Sequence, residues 1–220
     1  MKAICITAKR EWNYLLKYKN LNIEDCNSYP YGEYFIENQI LFFRTGVRKT
    51  NSAGAVQYMI CKFDIDTLIL IGTCGGIDRK NHMLDIIIPN KVVQWDCTIP
   101  DYEPIFKEMF VTNINLDNLN FEYKTGLLAT GDRAIVRLEE YNLLNDNRVT
   151  IADTEAGAIA YVCNKNNIKF IVIKGISDFP NIEKEAIDSD KEQTDNFIQN
   201  IPLIMKDILE NYISKILKLI

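Results

Sequence analysis

Residues 67–72, TLILIG, form an unbroken apolar run closed by a glycine. A strand with one face in water alternates polar and apolar residues, whereas a run with no polar position has to be covered on both faces. IKFIVIKGIS (168–177), late in the chain, reads as the last strong strand. Doubly covered strands demand a sheet with helices on both sides, and the intervening sequence supplies them. KAICIT (2–7) reads as a first strand and leads into a helical stretch carrying Trp12, Leu15 and Leu16. Residues 33–37 and 40–45 read as a hairpin joined by Asn38-Gln39, with no glycine at the turn. Ala53, Ala55, Val56, Met59 and Ile60 have helical spacing. LDIIIPNKVV (84–93) is a strand interrupted at Pro89, and residues 97–122, with two prolines and an asparagine-rich patch, read as an excursion or flap. YKTGLLAT (123–130) and VTIAD (149–153) return to strand, and a helix is expected from Glu155 to Asn164. After a polar loop (178–190), an apolar stripe from Phe197 to Leu217 marks a long amphipathic helix. The alternation predicts one α/β domain over residues 1–220, a three-layer sandwich with a largely parallel or mixed central sheet flanked by helices.

Charge and cysteine usage exclude several functions. Lys and Arg total 25 against 30 Asp and Glu, a net charge of -5. Such a chain lacks the positive excess that holds a phosphate backbone or an anionic membrane surface, so neither nucleic acid nor membrane is an expected partner. No run approaches the roughly 20 apolar residues of a membrane span. Lys9, Arg10 and Glu11 end the first apolar run too early for a secretory signal. The six cysteines are scattered without a Cys-x-x-Cys pair and His82 is the only histidine, so no zinc site is expected. Scattered cysteines of this kind read as reduced thiols of a cytoplasmic protein. No metal or organic cofactor is implied.

In open α/β sheets, ligands gather at the carboxyl ends of the strands. The residues just after the apolar runs are Glu11, Thr45-Gly46, the glycine turn Gly72-Thr73-Cys74-Gly75-Gly76, Thr130-Gly131-Asp132, Asp153-Thr154-Glu155 and Ser177-Asp178. The glycine block matches neither the dinucleotide fingerprint nor a P-loop; it serves either close approach to a ligand or a tight turn. Each carboxylate alone reads as a helix cap or loop residue. Together, Glu11, Asp132, Asp153, Glu155 and Asp178 at one sheet edge suggest acid/base work on a leaving group.

IGTCGGI (71–77), TGDRAIV (130–136), ADTEAGAIAYVC (152–163) and VIKGISDFP (172–180), in this order and spacing, resemble the purine nucleoside phosphorylase/nucleosidase family, and within it the bacterial 5′-methylthioadenosine/S-adenosylhomocysteine nucleosidases. TGVRK (45–49) and LDIII (84–88) match smaller blocks of it. The resemblance implies the nucleoside phosphorylase-like fold and cleavage of a purine N-glycosidic bond through an oxocarbenium-like sugar. It implies that Asp178 protonates or hydrogen-bonds N7 of the purine, that Glu11 activates the attacking water, and that Glu155 holds the ribose hydroxyls. Thr73 and Gly75 would frame the sugar and water, Ser177 accompanies Asp178, and the strand around Ile135 would offer backbone groups to the base. Thr154 stands where the family usually has a methionine, and Arg133-Ala134 where it commonly has an aromatic residue, so 5′-thio nucleosides are not expected to be the only substrates. Arg10 and Trp12 are candidates to share the space beside Glu11.

The related phosphorylases carry an arginine two residues before the glycine turn, where this chain has Leu70. Arg44, Arg48 and Arg133 are the remaining candidates for a phosphate. Hydrolysis is therefore expected over phosphorolysis, and retention of Glu11, Glu155 and Asp178 speaks against a non-catalytic nucleoside-binding or storage protein. His82 reads as a loop residue, and Trp95 as a wall of the site or of an interface. A homodimer is expected, because the resembling family is usually dimeric and the apolar helix faces exceed what one small sheet covers.

Overall fold

The computed structural model describes residues 1–97, 108–110, 123–180 and 191–220. Its strands are β1 (Lys2–Ile6), β2 (Asn27–Tyr29), β3 (Gly32–Glu37), β4 (Ile40–Arg44), β5 (Thr67–Gly76), β6 (Ile86–Ile87), β7 (Lys91–Gln94), β8 (Glu108–Phe110), β9 (Leu127–Thr130), β10 (Val149–Asp153) and β11 (Lys169–Asp178). The helices are α1 (Lys9–Tyr18), α2 (Lys49–Lys62), α3 (Leu138–Asp146), α4 (Ala156–Lys165) and α5 (Lys191–Asp207); α5 runs on through a π-helical turn, Ile208–Ile213. All the strands join one mixed sheet in the order β2-β3-β4-β1-β5-β10-β9-β7-β8, with β11 paired to β5 and β6.

The long strand β5 organises this sheet. Its first half pairs parallel with β1, its last two residues pair antiparallel with β10, and β11 runs parallel along its other edge. Because side chains alternate across a strand, Leu68 and Leu70 enter a core with Val56 and Met59 of α2 and Ile159 and Cys163 of α4. Ile69 and Ile71 enter the opposite core, with Trp12 and Leu15 of α1 and Ile204 and Met205 of α5. The three layers expected from the apolar runs are thus formed. Helix α3 closes the far end through Tyr141 and Leu144 against Val93 and Ala129.

The hairpin β3–β4 has the predicted two-residue connection. Asn38 and Gln39 take φ of 50° and 64°, the left-handed pair of a type I′ turn, so the turn forms without glycine. Pro89 separates β6, which pairs with β11, from β7, which pairs with β9.

Two expectations are corrected. The block Gly72-Thr73-Cys74-Gly75-Gly76 is extended strand rather than a turn, because it stays paired with β11 up to Gly75 and with β10 at Gly75-Gly76. Its glycines make room: a Cβ on Gly76 would stand 2.3 Å from the Phe179 ring. Ile135 lies in the loop between β9 and α3, not in a strand, since the ladder with β10 ends at Thr130. The flap expected over 97–122 falls outside the described residues except for Cys97 and the short strand β8, which pairs with β7.

Phe170 is fully buried between β11 and the α2–α4 layer. Phe170→Ala is expected to lose about 3–5 kcal/mol of stability, measured by denaturant unfolding.

Candidate active site

Where β5, β10 and β11 end together, the sheet edge opens into a cavity of about 240 Å³. Its lining includes Glu11, Thr73, Gly75, Ile135, Thr154, Glu155, Ser177 and Asp178, the residues that the family resemblance placed at the site. They come from α1 (Glu11), β5 (Thr73, Gly75), the loop between β9 and α3 (Ile135), the β10–α4 junction (Thr154, Glu155) and β11 (Ser177, Asp178).

Glu11 stands in the first turn of α1 and is 1% exposed. Its Oε1 accepts the backbone N–H and the hydroxyl of Thr73, both at 2.7 Å, and Oε2 accepts the Ala8 N–H at 3.2 Å. Gly72 permits this approach: its φ is 152°, and a Cβ there would stand 2.8 Å from Oε1. Trp12 turns away into the core and Arg10 into solvent, so neither shares the space beside Glu11.

Glu155 is the residue before α4 and is also buried. Its Oε1 accepts the Arg48 N–H at 2.9 Å and the Thr154 hydroxyl. Burial, reinforced by the neighbouring Asp153 carboxylate, pushes its carboxyl above the ordinary range, and Lys174 partly opposes this. Asp178 closes β11 opposite Gly75. The Ser177 hydroxyl lies 2.5 Å from Asp178 Oδ1 and 3.1 Å from the Cys74 carbonyl oxygen.

Asp153 divides its duties between fold and site. It lines the cavity, accepts the Thr130 hydroxyl (2.7 Å) and the Ala156 N–H (3.2 Å), and so caps α4. Its Oδ2 also lies 3.3 Å from the ammonium of Lys174. Lys174 escaped the sequence reading, although a lysine inside the doubly covered run VIKGIS was the available signal. Phe197 and Val47 also line the cavity; Phe197 read only as part of a core stripe.

Other candidates lie elsewhere. Asp132 is absent from the lining; its Oδ1 accepts the Lys49 N–H at 2.9 Å. The His82 side chain is exposed beside Asp85. Trp95 is buried under the Arg133 guanidinium, 5.1 Å from the ring centre. Leu70 is core. Arg44 is paired with Glu33, and Arg48 Nη1 donates to the Asp132 carbonyl. Arg133 is the exception: it lines the cavity while pairing with Glu140.

A carboxyl whose folded pKa is raised binds its proton more tightly folded than unfolded, so stability falls as pH rises through that interval. Glu155→Gln removes this penalty. It is expected to melt close to the unsubstituted protein near pH 4 and above it at neutral pH, as thermal midpoints across that range would show.

Residues 19–210 match the model of the Phosphorylase superfamily. The 5′-methylthioadenosine/S-adenosylhomocysteine nucleosidase of Buchnera aphidicola subsp. Schizaphis graminum is 30% identical over 186 residues, which cover 77% of this chain and 75% of that protein. In fold, the chain is similar to the Helicobacter pylori nucleosidase of the same name, with a TM-score of 0.77 at 16% identity over 98% of this chain and 97% of that one. It is also similar to the Colwellia psychrerythraea nucleosidase in complex with adenine, with a TM-score of 0.74 at 20% identity, covering 95% and 93%. The matched span includes the sheet edge and all of the cavity residues between Val47 and Phe197, and on it the chain belongs to the Phosphorylase superfamily.

Proposed function

We propose that this chain hydrolyses the N-glycosidic bond of a purine nucleoside, releasing free base and sugar. The observation that carries this reading is the convergence of three buried carboxylates, Glu11, Glu155 and Asp178, on one cavity. Two carboxylates on opposite sides of a scissile bond divide acid and base duties in glycoside hydrolysis. Glu11 is the base toward water: Thr73 occupies Oε1 with two short hydrogen bonds, and Oε2, with one longer one, takes the proton. Asp178 is the acid toward N7, since a purine leaves more readily once N7 shares a proton. Glu155 receives the ribose hydroxyls on Oε2, because Oε1 already accepts from Arg48 and Thr154. Thr73, Gly75, Ile135 and Ser177 complete the walls.

Hydrolysis is favoured over phosphorolysis because Leu70 lies in the core, Arg44 and Arg48 are engaged by the protein outside the cavity lining, and Arg133, on the lining, is already paired with Glu140. A phosphate dianion normally requires arginines free to bind it. The names of the relatives support thio-nucleosides as substrates. Thr154 and Ala134 on the cavity wall support a wider range that includes nucleosides with a 5′-hydroxyl. We further propose a cytoplasmic homodimer. Among the described residues no helix is long and apolar enough to cross a membrane, all six cysteines are free, and Val47, Tyr58 and Tyr161 are exposed.

Asp178→Asn is expected to lower kcat by about 10²- to 10⁴-fold, the usual contribution of general acid catalysis, with the thermal midpoint preserved. An active but destabilised variant would contradict the assignment. A panel of adenosine, inosine, guanosine, methylthioadenosine and S-adenosylhomocysteine tests the substrate range. Base release from the two thio compounds alone would show the reading of Thr154 and Ala134 to be wrong.

A further inference from the structure

Arg48 precedes α2 with φ 74° and ψ 162°, a region occupied essentially by glycine. A residue with a side chain persists there only when its surroundings hold it, and such positions cluster at functional sites. The surroundings here are specific. The Arg48 N–H donates to Glu155 Oε1 at 2.9 Å and its Nη1 to the Asp132 carbonyl at 2.8 Å. Its carbonyl accepts the Ser52 hydroxyl at 2.8 Å. Lys49 donates its N–H to Asp132 Oδ1 (2.9 Å) and its ammonium to Asp96 Oδ1 (2.6 Å). Asp96 completes the ring by accepting the Asp132 N–H on Oδ2 at 2.8 Å. The segment before α2 is thereby tied to the turn after β9 and to the end of β7.

We propose that Arg48, held by this latch of Lys49, Asp96 and Asp132, is the positioning residue for Glu155. The strained backbone aims one N–H at Oε1 and commits that oxygen, so that Oε2 faces the sugar. Without the commitment, a glutamate with three free torsions beside a buried lysine would turn toward the ammonium. Arg48 acts through its backbone alone: its guanidinium serves the latch, and the side chain that lines the cavity from this loop is Val47. The inference rests on the reading that Glu155 binds ribose hydroxyls, and it implies that the latch matters only for ligands that carry those hydroxyls.

The test combines kinetics with melting. In Asp132→Ala, kcat/KM for the nucleoside hydrolysed fastest by the unsubstituted enzyme should fall about tenfold. The inhibition constant of 2′,3′-dideoxyadenosine should change by less than about twofold, because that ligand has no hydroxyl for Glu155. A role limited to stability would move both alike, so parallel shifts, or no shift in either, overturn the proposal. Arg48→Gly and Arg48→Ala both keep the N–H and both lose the guanidinium anchor, but only alanine keeps the strain. Arg48→Ala should therefore melt about 2–4 °C below Arg48→Gly, and equal midpoints overturn the claim that the backbone is held under strain. If the unsubstituted chain releases base from no nucleoside, the hydrolase reading falls, and the melting comparison alone decides the latch.

Discussion

One buried ion pair underlies both the fold of the site and its charge. The Lys174 ammonium lies 3.3 Å from Asp153 Oδ2, with the two side chains 1% and 2% exposed. Burial alone would push an ammonium toward its neutral form, but Asp153, Glu155 and Glu11 outweigh it and keep the lysine charged well beyond its ordinary range. Breaking a buried pair by removing one partner typically costs about 3–5 kcal/mol. Here the consequence is also geometric, because Asp153 caps α4 and the residue before α4 is Glu155. Across the ladder, Lys174 pairs with Gly72, whose missing side chain admits the Glu11 carboxylate. Asp153, Glu155 and Glu11 thus share the field of a single buried cation.

An isolated cluster of this kind would be a poor way to stabilise a protein, since desolvating charges commonly outweighs their attraction. Its presence at the meeting point of β5, β10 and β11 accords with a site that needs carboxylates of differing character side by side. Glu11 is fixed by three hydrogen bonds from Thr73 and Ala8. Glu155 is held toward its neutral form by burial and Asp153. Asp178 shares its oxygen with the Ser177 hydroxyl. These are environments of the sort that separate acid from base in hydrolytic enzymes.

Much of this was legible before any coordinates. TLILIG announced a doubly covered strand because an apolar run has no solvent face, and β5 indeed alternates Leu68 and Leu70 into one core with Ile69 and Ile71 into the other. The carboxylates were legible because they follow the strands. The GTCGG block was misread because glycine signals freedom without saying why it is needed: here it clears space for Glu11 and Phe179 inside a continuous strand. The Asn38-Gln39 turn carried no glycine because two left-handed residues sufficed. Lys174 and the latch around Arg48 were hidden for a common reason. Their meaning lies in contacts across the chain, Lys174 to Asp153 and Arg48 to Glu155, and no local pattern encodes those pairings.

The central claim is that Glu11 directs water, and not phosphate, onto the sugar once the base departs. Turnover of a reactive nucleoside in heavy-oxygen water, with and without added phosphate, tests it most directly. The account predicts free sugar bearing the heavy oxygen at its anomeric carbon, formed at the same rate in either buffer. Sugar 1-phosphate formed only when phosphate is present, with no heavy oxygen on the anomeric carbon, would contradict it.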